Sequence, residues 1–200
     1  MSKKRLFVAI GLPDSLLAEL EQLQKQLKPF ARDAKWVKVS GVHLTLKFLG
    51  YVDPAKIPEI TEALAAAAKD QSGVSIHARD CGFFPSARRP NVLWAGVDAP
   101  GLMPLQQEVE EAMAKLGFEK ENRAFSPHLT LARFKDHRGL LALAKETEKF
   151  AGKDFGSFTA KSFSLYESIL RPQGAEYDNL HEFFLTEERK ERKDKNVSNS

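Results

Sequence analysis

The tetrapeptide His43-Leu44-Thr45-Leu46 occurs a second time, letter for letter, as His128-Leu129-Thr130-Leu131, in a chain with only five histidines. About ten histidine pairs, at roughly 6% per matching residue, put coincidence on the order of a few in a thousand for average usage. The flanks supply a cause. Residues 6–14, LFVAIGLPD, and residues 93–101, LWAGVDAPG, each read as an apolar strand running into a proline-marked helix start. The helix that follows carries Leu16, Leu17, Leu20, Leu23 and Leu27 in the first case and Leu102, Leu105, Val109, Met113 and Leu116 in the second, all at helical spacing. After each tetrapeptide the pattern goes on. An Ala-rich helix from Asp53-Pro54 leads to the strand VSIHARDCGFF, and a helix near 138–151 leads to strands near 155–169 and 177–185. The chain therefore reads as an internal duplication, about 5–84 and 92–170, with an offset of roughly 85 to 87 residues and one β-α-β-α-β unit per half. Such halves can pack with pseudo-two-fold symmetry, which sets the two tetrapeptides across one cleft.

Two hundred residues, 42% hydrophobic and 28% charged, suffice for one core or for two small lobes sharing an interface. Residues 1–186 are taken as one bilobal unit, and 187–200, whose only apolar residue is Val197, as a disordered charged tail. The apolar stretch after Arg5 ends at Gly11-Leu12-Pro13, too short for a signal peptide or a membrane span. A soluble, cytoplasmic, monomeric protein is expected. Cys81 stands alone, which excludes an intramolecular disulfide and a multi-cysteine metal site, and it reads as a buried small residue. A net charge of +3, partly in the tail, suits a small anionic ligand or an RNA end and not a long nucleic acid.

Strand alternation puts His43 and Thr45 on one face, with Val42, Leu44, Leu46 and Phe48 on the other. The same rule separates His128 and Thr130 from Leu129 and Leu131. Two imidazoles can divide the work of base and acid near neutral pH, and threonine hydroxyls can hold the oxygens of a phosphate. That inventory suits hydrolysis of a phosphodiester with neither metal nor cofactor. Two histidines without matched Asp, Glu or Cys make a poor metal shell. One such strand carries little weight, but a structural repeat could keep its leucines without keeping both His and both Thr.

Lys47 shares the parity of His43 and so can reach substrate, although its counterpart in the second half is Ala132. Strict alternation turns Arg133 toward the leucine face, and it reaches the cleft only if the strand bends or ends there. Arg88 and Arg89, in PSARRPN, suit an RNA end or a solvated turn equally. His77, His137 and His181 read as solvent-facing or structural.

These residues resemble the 2H phosphoesterase superfamily, and most closely its RNA 2′,3′-cyclic phosphodiesterases, also called 2′-5′ RNA ligases. The resemblance spans about residues 5–186 and rests on RLFVAIGLP, WVKVSGVHLTLKFLG, GFFPSARRPNVLWAGV, FSPHLTLARFK and SLYESILRP. It implies a bilobal α+β fold, with two mainly antiparallel sheets facing a central cleft and helices outside. It also implies metal-independent hydrolysis of RNA 2′,3′-cyclic phosphate ends to 2′-phosphomonoesters, with 2′-5′ ligation as the reverse reaction. On this resemblance His43 is the proton donor, His128 the proton acceptor, and Thr45 and Thr130 hold the phosphate. The near-symmetric motifs alone leave the order of acid and base open. RNA ends or small cyclic nucleotides are the expected partners. The alternatives are the same site acting on ADP-ribose 1″,2″-cyclic phosphate or 2′-5′ oligonucleotides, and a non-catalytic RNA-end binder.

Overall fold

In the computed structural model, which describes residues 2–31, 33–136, 140–172 and 174–186, both halves run through one order of elements, to which the first adds a two-residue strand. The first half holds β1 (Lys4–Ile10), α1 (Asp14–Leu27), the two-residue β2 (Lys35–Trp36), β3 (Leu44–Val52), α2 (Ile57–Ala68) and β4 (Val74–Phe84). The second holds β5 (Val92–Asp98), α3 (Leu102–Lys115), β6 (His128–Arg133), α4 (Leu141–Thr147) and β7 (Asp154–Ala160), followed by β8 (Ser162–Arg171) and β9 (Gly174–Phe184). His137 and the tail at 187–200 lie outside the described residues.

The strands stand in the order β7-β4-β5-β6-β3-β1-β8-β9, with β2 on the side of β6. All of these pairings are antiparallel. The two expected sheets are thus β7-β4-β5-β6 and β3-β1-β8-β9. They fuse at a single bridge, Leu44 opposite Leu129, in the middle of the two tetrapeptides. The halves also trade strands. β4 leaves the first half to pair with β5, and β8 leaves the second to pair with β1.

The helices follow the same exchange. α1 packs on α4 and β7, whereas α3 packs on α2 and β3, so the first helix of each half covers the other half's sheet. Leu20, Leu23 and Leu27 of α1 and Leu102, Leu105 and Val109 of α3 are wholly buried, as the helical spacing predicts. Each such side chain contributes about 1.5–3 kcal/mol of burial. Leu17 and Leu116 pack only partly buried against this core.

Matching Leu23 with Val109 and Leu27 with Met113 places Gln24 of α1 at the position of Glu110 in α3. Both are polar residues turned inward. Gln24, fully buried, donates through Nε2 to Val37 O at 2.9 Å and to Leu131 O at 3.1 Å, the latter in the second tetrapeptide. Glu110 accepts from Lys47 Nζ at 2.6 Å, next to the first tetrapeptide, and from Glu121 N at 3.0 Å. Each helix therefore braces the motif strand of the opposite half. Gln24→Ala is expected to cost about 2–3 kcal/mol, from two lost hydrogen bonds and a cavity. Urea unfolding followed by circular dichroism measures it, and an unchanged midpoint would remove the brace.

Candidate active site

Simple alternation fails at the same place in both motif strands. Ala9 lies opposite Thr45 but Val8 lies opposite Lys47, so Leu46 has no partner; Trp94 lies opposite Thr130 and Leu93 opposite Ala132, so Leu131 has none. Each is a β-bulge, and one extra residue reverses the parity of the residues that come next, in β3 until a second shift at Leu49. Lys47, expected on the cleft face, is instead carried to the helix side, where its ammonium meets Glu110 Oε1 at 2.6 Å and Glu119 O at 2.8 Å. Phe48, expected with the leucines, comes to the cleft and is 57% exposed. Its counterpart in the second strand is Arg133, which the bulge likewise turns into the cleft.

The cleft has a volume of about 530 Å³ and is lined by His43, Thr45, Thr130, Arg133, Tyr177 and Arg5, among others, with no carboxylate among the described residues. The antiparallel sense of the Leu44–Leu129 bridge carries His43 toward Thr130 and Thr45 toward His128. His128 opens onto an adjoining depression with Phe84, Trp94 and Ser126. The structure thus brings His43, Thr45, Thr130 and Arg133 together, sets His128 beside them, and takes Lys47 away. Arg88 and Arg89 stand exposed and line neither hollow. His77 pairs with Asp154 at 3.0 Å and His181 packs on Phe183, both away from the cleft. Cys81 is half-buried, its Sγ 3.8 Å from Thr147 O, and burial pushes its thiol up to about 12.

The two imidazoles are held alike. His43 Nδ1 lies 2.8 Å from Gly41 O, and His128 Nδ1 lies 2.8 Å from Ser126 O, each the carbonyl two residues back. A carbonyl only accepts, so Nδ1 carries the hydrogen and Nε2 is left as the reactive nitrogen of both rings. Their surroundings differ. His43 stacks on Phe7 at 4.6 Å and meets Tyr177 edge-on at 5.0 Å, while His128 meets Phe84 edge-on at 5.0 Å. Gly41 makes room for this packing, since a Cβ there would stand 3.0 Å from the Tyr177 ring.

Burial lowers the pKa of both histidines, and the Arg133 guanidinium lowers it further; His43 is also depressed by His128. The free protein thus favours two neutral imidazoles at pH 7. Among the described residues no three His, Cys, Asp or Glu side chains cluster to hold a metal, and no helix is long and apolar enough to cross a membrane.

The residues not anticipated from the sequence are the carbonyl acceptors Gly41 and Ser126, the aromatic flank Phe7, Phe48 and Tyr177, and Arg5. Only the placement of Gly41 and Ser126, each two residues before a motif histidine, repeats with the motif and offers a signal.

Two measurements check this geometry. Removing a cation lets an imidazole keep its proton to higher pH, so Arg133→Gln is expected to raise both histidine pKa values, read by NMR titration. Lys47→Met leaves Glu110 without its buried partner and is expected to cost about 3 kcal/mol of stability. The same variant should change kcat/KM by less than about threefold, and a larger loss would return Lys47 to the cleft.

The sequence matches the model of the LigT-like phosphoesterases twice, over residues 10–94 and 97–177. A protein named RNA 2′,3′-cyclic phosphodiesterase from Methanocaldococcus jannaschii is 35% identical, over 90% of this chain and 99% of its own. One of the same name from Aeropyrum pernix is 34% identical, over 84% and 95%. Among solved structures, TT0787 of Thermus thermophilus superposes with a TM-score of 0.79 at 29% identity, covering 92% of this chain and 100% of that one. LigT of Escherichia coli, solved with 3′-AMP, gives 0.74 at 27% identity, covering 92% and 99%. Matched in both halves, the chain belongs to the LigT-like phosphoesterase family.

Proposed function

We propose that this protein hydrolyses RNA 2′,3′-cyclic phosphate ends to 2′-phosphomonoesters by two-histidine acid–base catalysis. The observation that carries the reading is the matched pair of imidazoles, each with Nδ1 tied to a backbone carbonyl and Nε2 free, beside two threonines and an arginine. The relatives' names and the 3′-AMP complex of LigT support the substrate class. His128 Nε2 accepts a proton from water as its oxygen attacks phosphorus. The P–O3′ bond breaks, and His43 Nε2 delivers a proton to the departing 3′ oxygen. His128 then holds the proton that His43 has lost, and exchange with solvent resets the pair. The order of donor and acceptor follows the family resemblance.

Thr45 and Thr130 donate hydroxyl hydrogen bonds to the non-bridging oxygens, and Arg133 balances the charge that builds on them. The same guanidinium that disfavours a protonated His43 in the free protein is neutralised by the bound diester, so the acid is charged when substrate is present. The free enzyme carries both pKa values below the ordinary 6.5 of histidine. The limbs of kcat/KM against pH therefore lie on the acid side of that value.

Phosphorus NMR of a nucleoside 2′,3′-cyclic phosphate incubated with the protein is expected to show the 2′-phosphate accumulating, with EDTA without effect. His43→Ala and His128→Ala are each expected to lower kcat by about 10²–10⁴-fold while the fold is kept. Full turnover by either variant overturns the mechanism, and accumulation of the 3′-phosphate overturns the assignment of the leaving oxygen.

A further inference from the structure

Beyond the reacting centre the cleft runs along β1 to Arg5. Alternation along β1 sets Arg5 and Phe7 on the same face, about 6.8 Å apart along the strand, and Phe7 carries the His43 ring. Arg5 therefore lines the same cleft one same-face step along β1 from the residue that carries His43. Just beyond the Leu6–Glu167 pair of the β1–β8 ladder, Arg5 Nη1 donates to Ser168 Oγ at 3.1 Å. Ser168 is itself buried. The neighbouring Lys4 is paired with Glu167, but Arg5 forms no ion pair among the described residues. A half-buried guanidinium with most of its five donors open and no carboxylate is a site prepared for an anion.

We propose that Arg5, with Ser168 and Tyr177, forms a second anion subsite, which takes the phosphate one nucleotide upstream of the reacting one and so selects a strand end over a free cyclic mononucleotide. The inference rests on the cyclic phosphodiesterase reading above for the identity of the first phosphate. Tyr177 connects the two positions. Its phenol lies in the field of both Arg133 and Arg5, while burial holds its pKa above the ordinary value, so it stays an uncharged O–H donor between two cations. Phe48, 57% exposed on the same cleft, gives the intervening nucleoside an apolar surface. Lys35 and Lys38, on the opposite wall, are exposed and unfixed; they add positive field to the mouth without defining a position.

The test compares kcat/KM for three substrates: a nucleoside 2′,3′-cyclic phosphate with a free 5′ hydroxyl, the same with a 5′-phosphate, and a dinucleotide ending in the cyclic phosphate. Both phosphorylated forms are expected to exceed the first by about tenfold or more, the range of a charge-assisted contact. Arg5→Gln should bring the ratios near one, and Arg5→Lys should retain part of them. Equal handling by the wild type, or a preference that survives R5Q in a folded variant, overturns the subsite. A gain confined to the 5′-phosphorylated mononucleotide overturns the assignment to a strand end. Calorimetric binding of adenosine 2′,5′-bisphosphate against adenosine 2′-monophosphate separates this inference from the reaction itself. If no cyclic substrate turns over, yet the bisphosphate binds about tenfold tighter and R5Q removes that margin, the subsite stands and the hydrolytic reading falls.

Discussion

The chemistry of this cleft depends on an unpaired residue directly after the threonine in each motif strand. Leu46 and Leu131 have no partner across the ladder, and the bulges they form decide which side chains after the threonines meet the ligand. Without them a lysine and an alanine would face the cleft, and Phe48 and Arg133 would be buried among helices. With them, the site gains one guanidinium that acts on both imidazoles and one phenyl ring. The bulges are held from behind by unlike means, a buried amide on Leu131 O and an ion pair on Lys47. That difference fits the unlike residues that follow each tetrapeptide.

Symmetry of the backbone thus coexists with asymmetry of the environment. Both histidines take the same tautomer from the same local contact, a carbonyl two residues upstream, so neither is set apart by its own hydrogen bond. They differ in what lies against the ring. His43 is packed against Phe7 and Tyr177, and His128 borders a smaller but more open hollow beside Phe84. A phosphate bound between them meets one proton carrier that is shielded and another that has easier access to water.

Much of this is legible in the sequence because the duplication can be read twice. The repeated strand, helix and motif place both lobes, and the period of two separates His and Thr from the leucines correctly as far as the threonines. Beyond them it misplaces Lys47 and Phe48, since a bulge has no signature in residue type and is set by how neighbouring strands meet. For Arg133 the sequence makes access to the cleft conditional on a bend, and a bulge supplies it. The carbonyls that orient the histidines are main-chain atoms, silent in a search for functional side chains. Arg5 is, in the sequence, one of a basic cluster before the first apolar stretch; only the partner strand β8, with Ser168 163 residues later, shows that it differs from Lys4.

The exchange of strands between halves bears on how the chain can assemble as it is made. β1 is made well before β8, its neighbour on the side of β9, with Leu6 opposite Glu167. The first half has neither its full sheet nor the helix that covers it until the second half exists. Its apolar strand face must wait for the second half to cover it, because the pairings that close the sheet are long-range. Folding of the first half is thereby made contingent on the second, and the cleft forms only once β8 and β9 are in place.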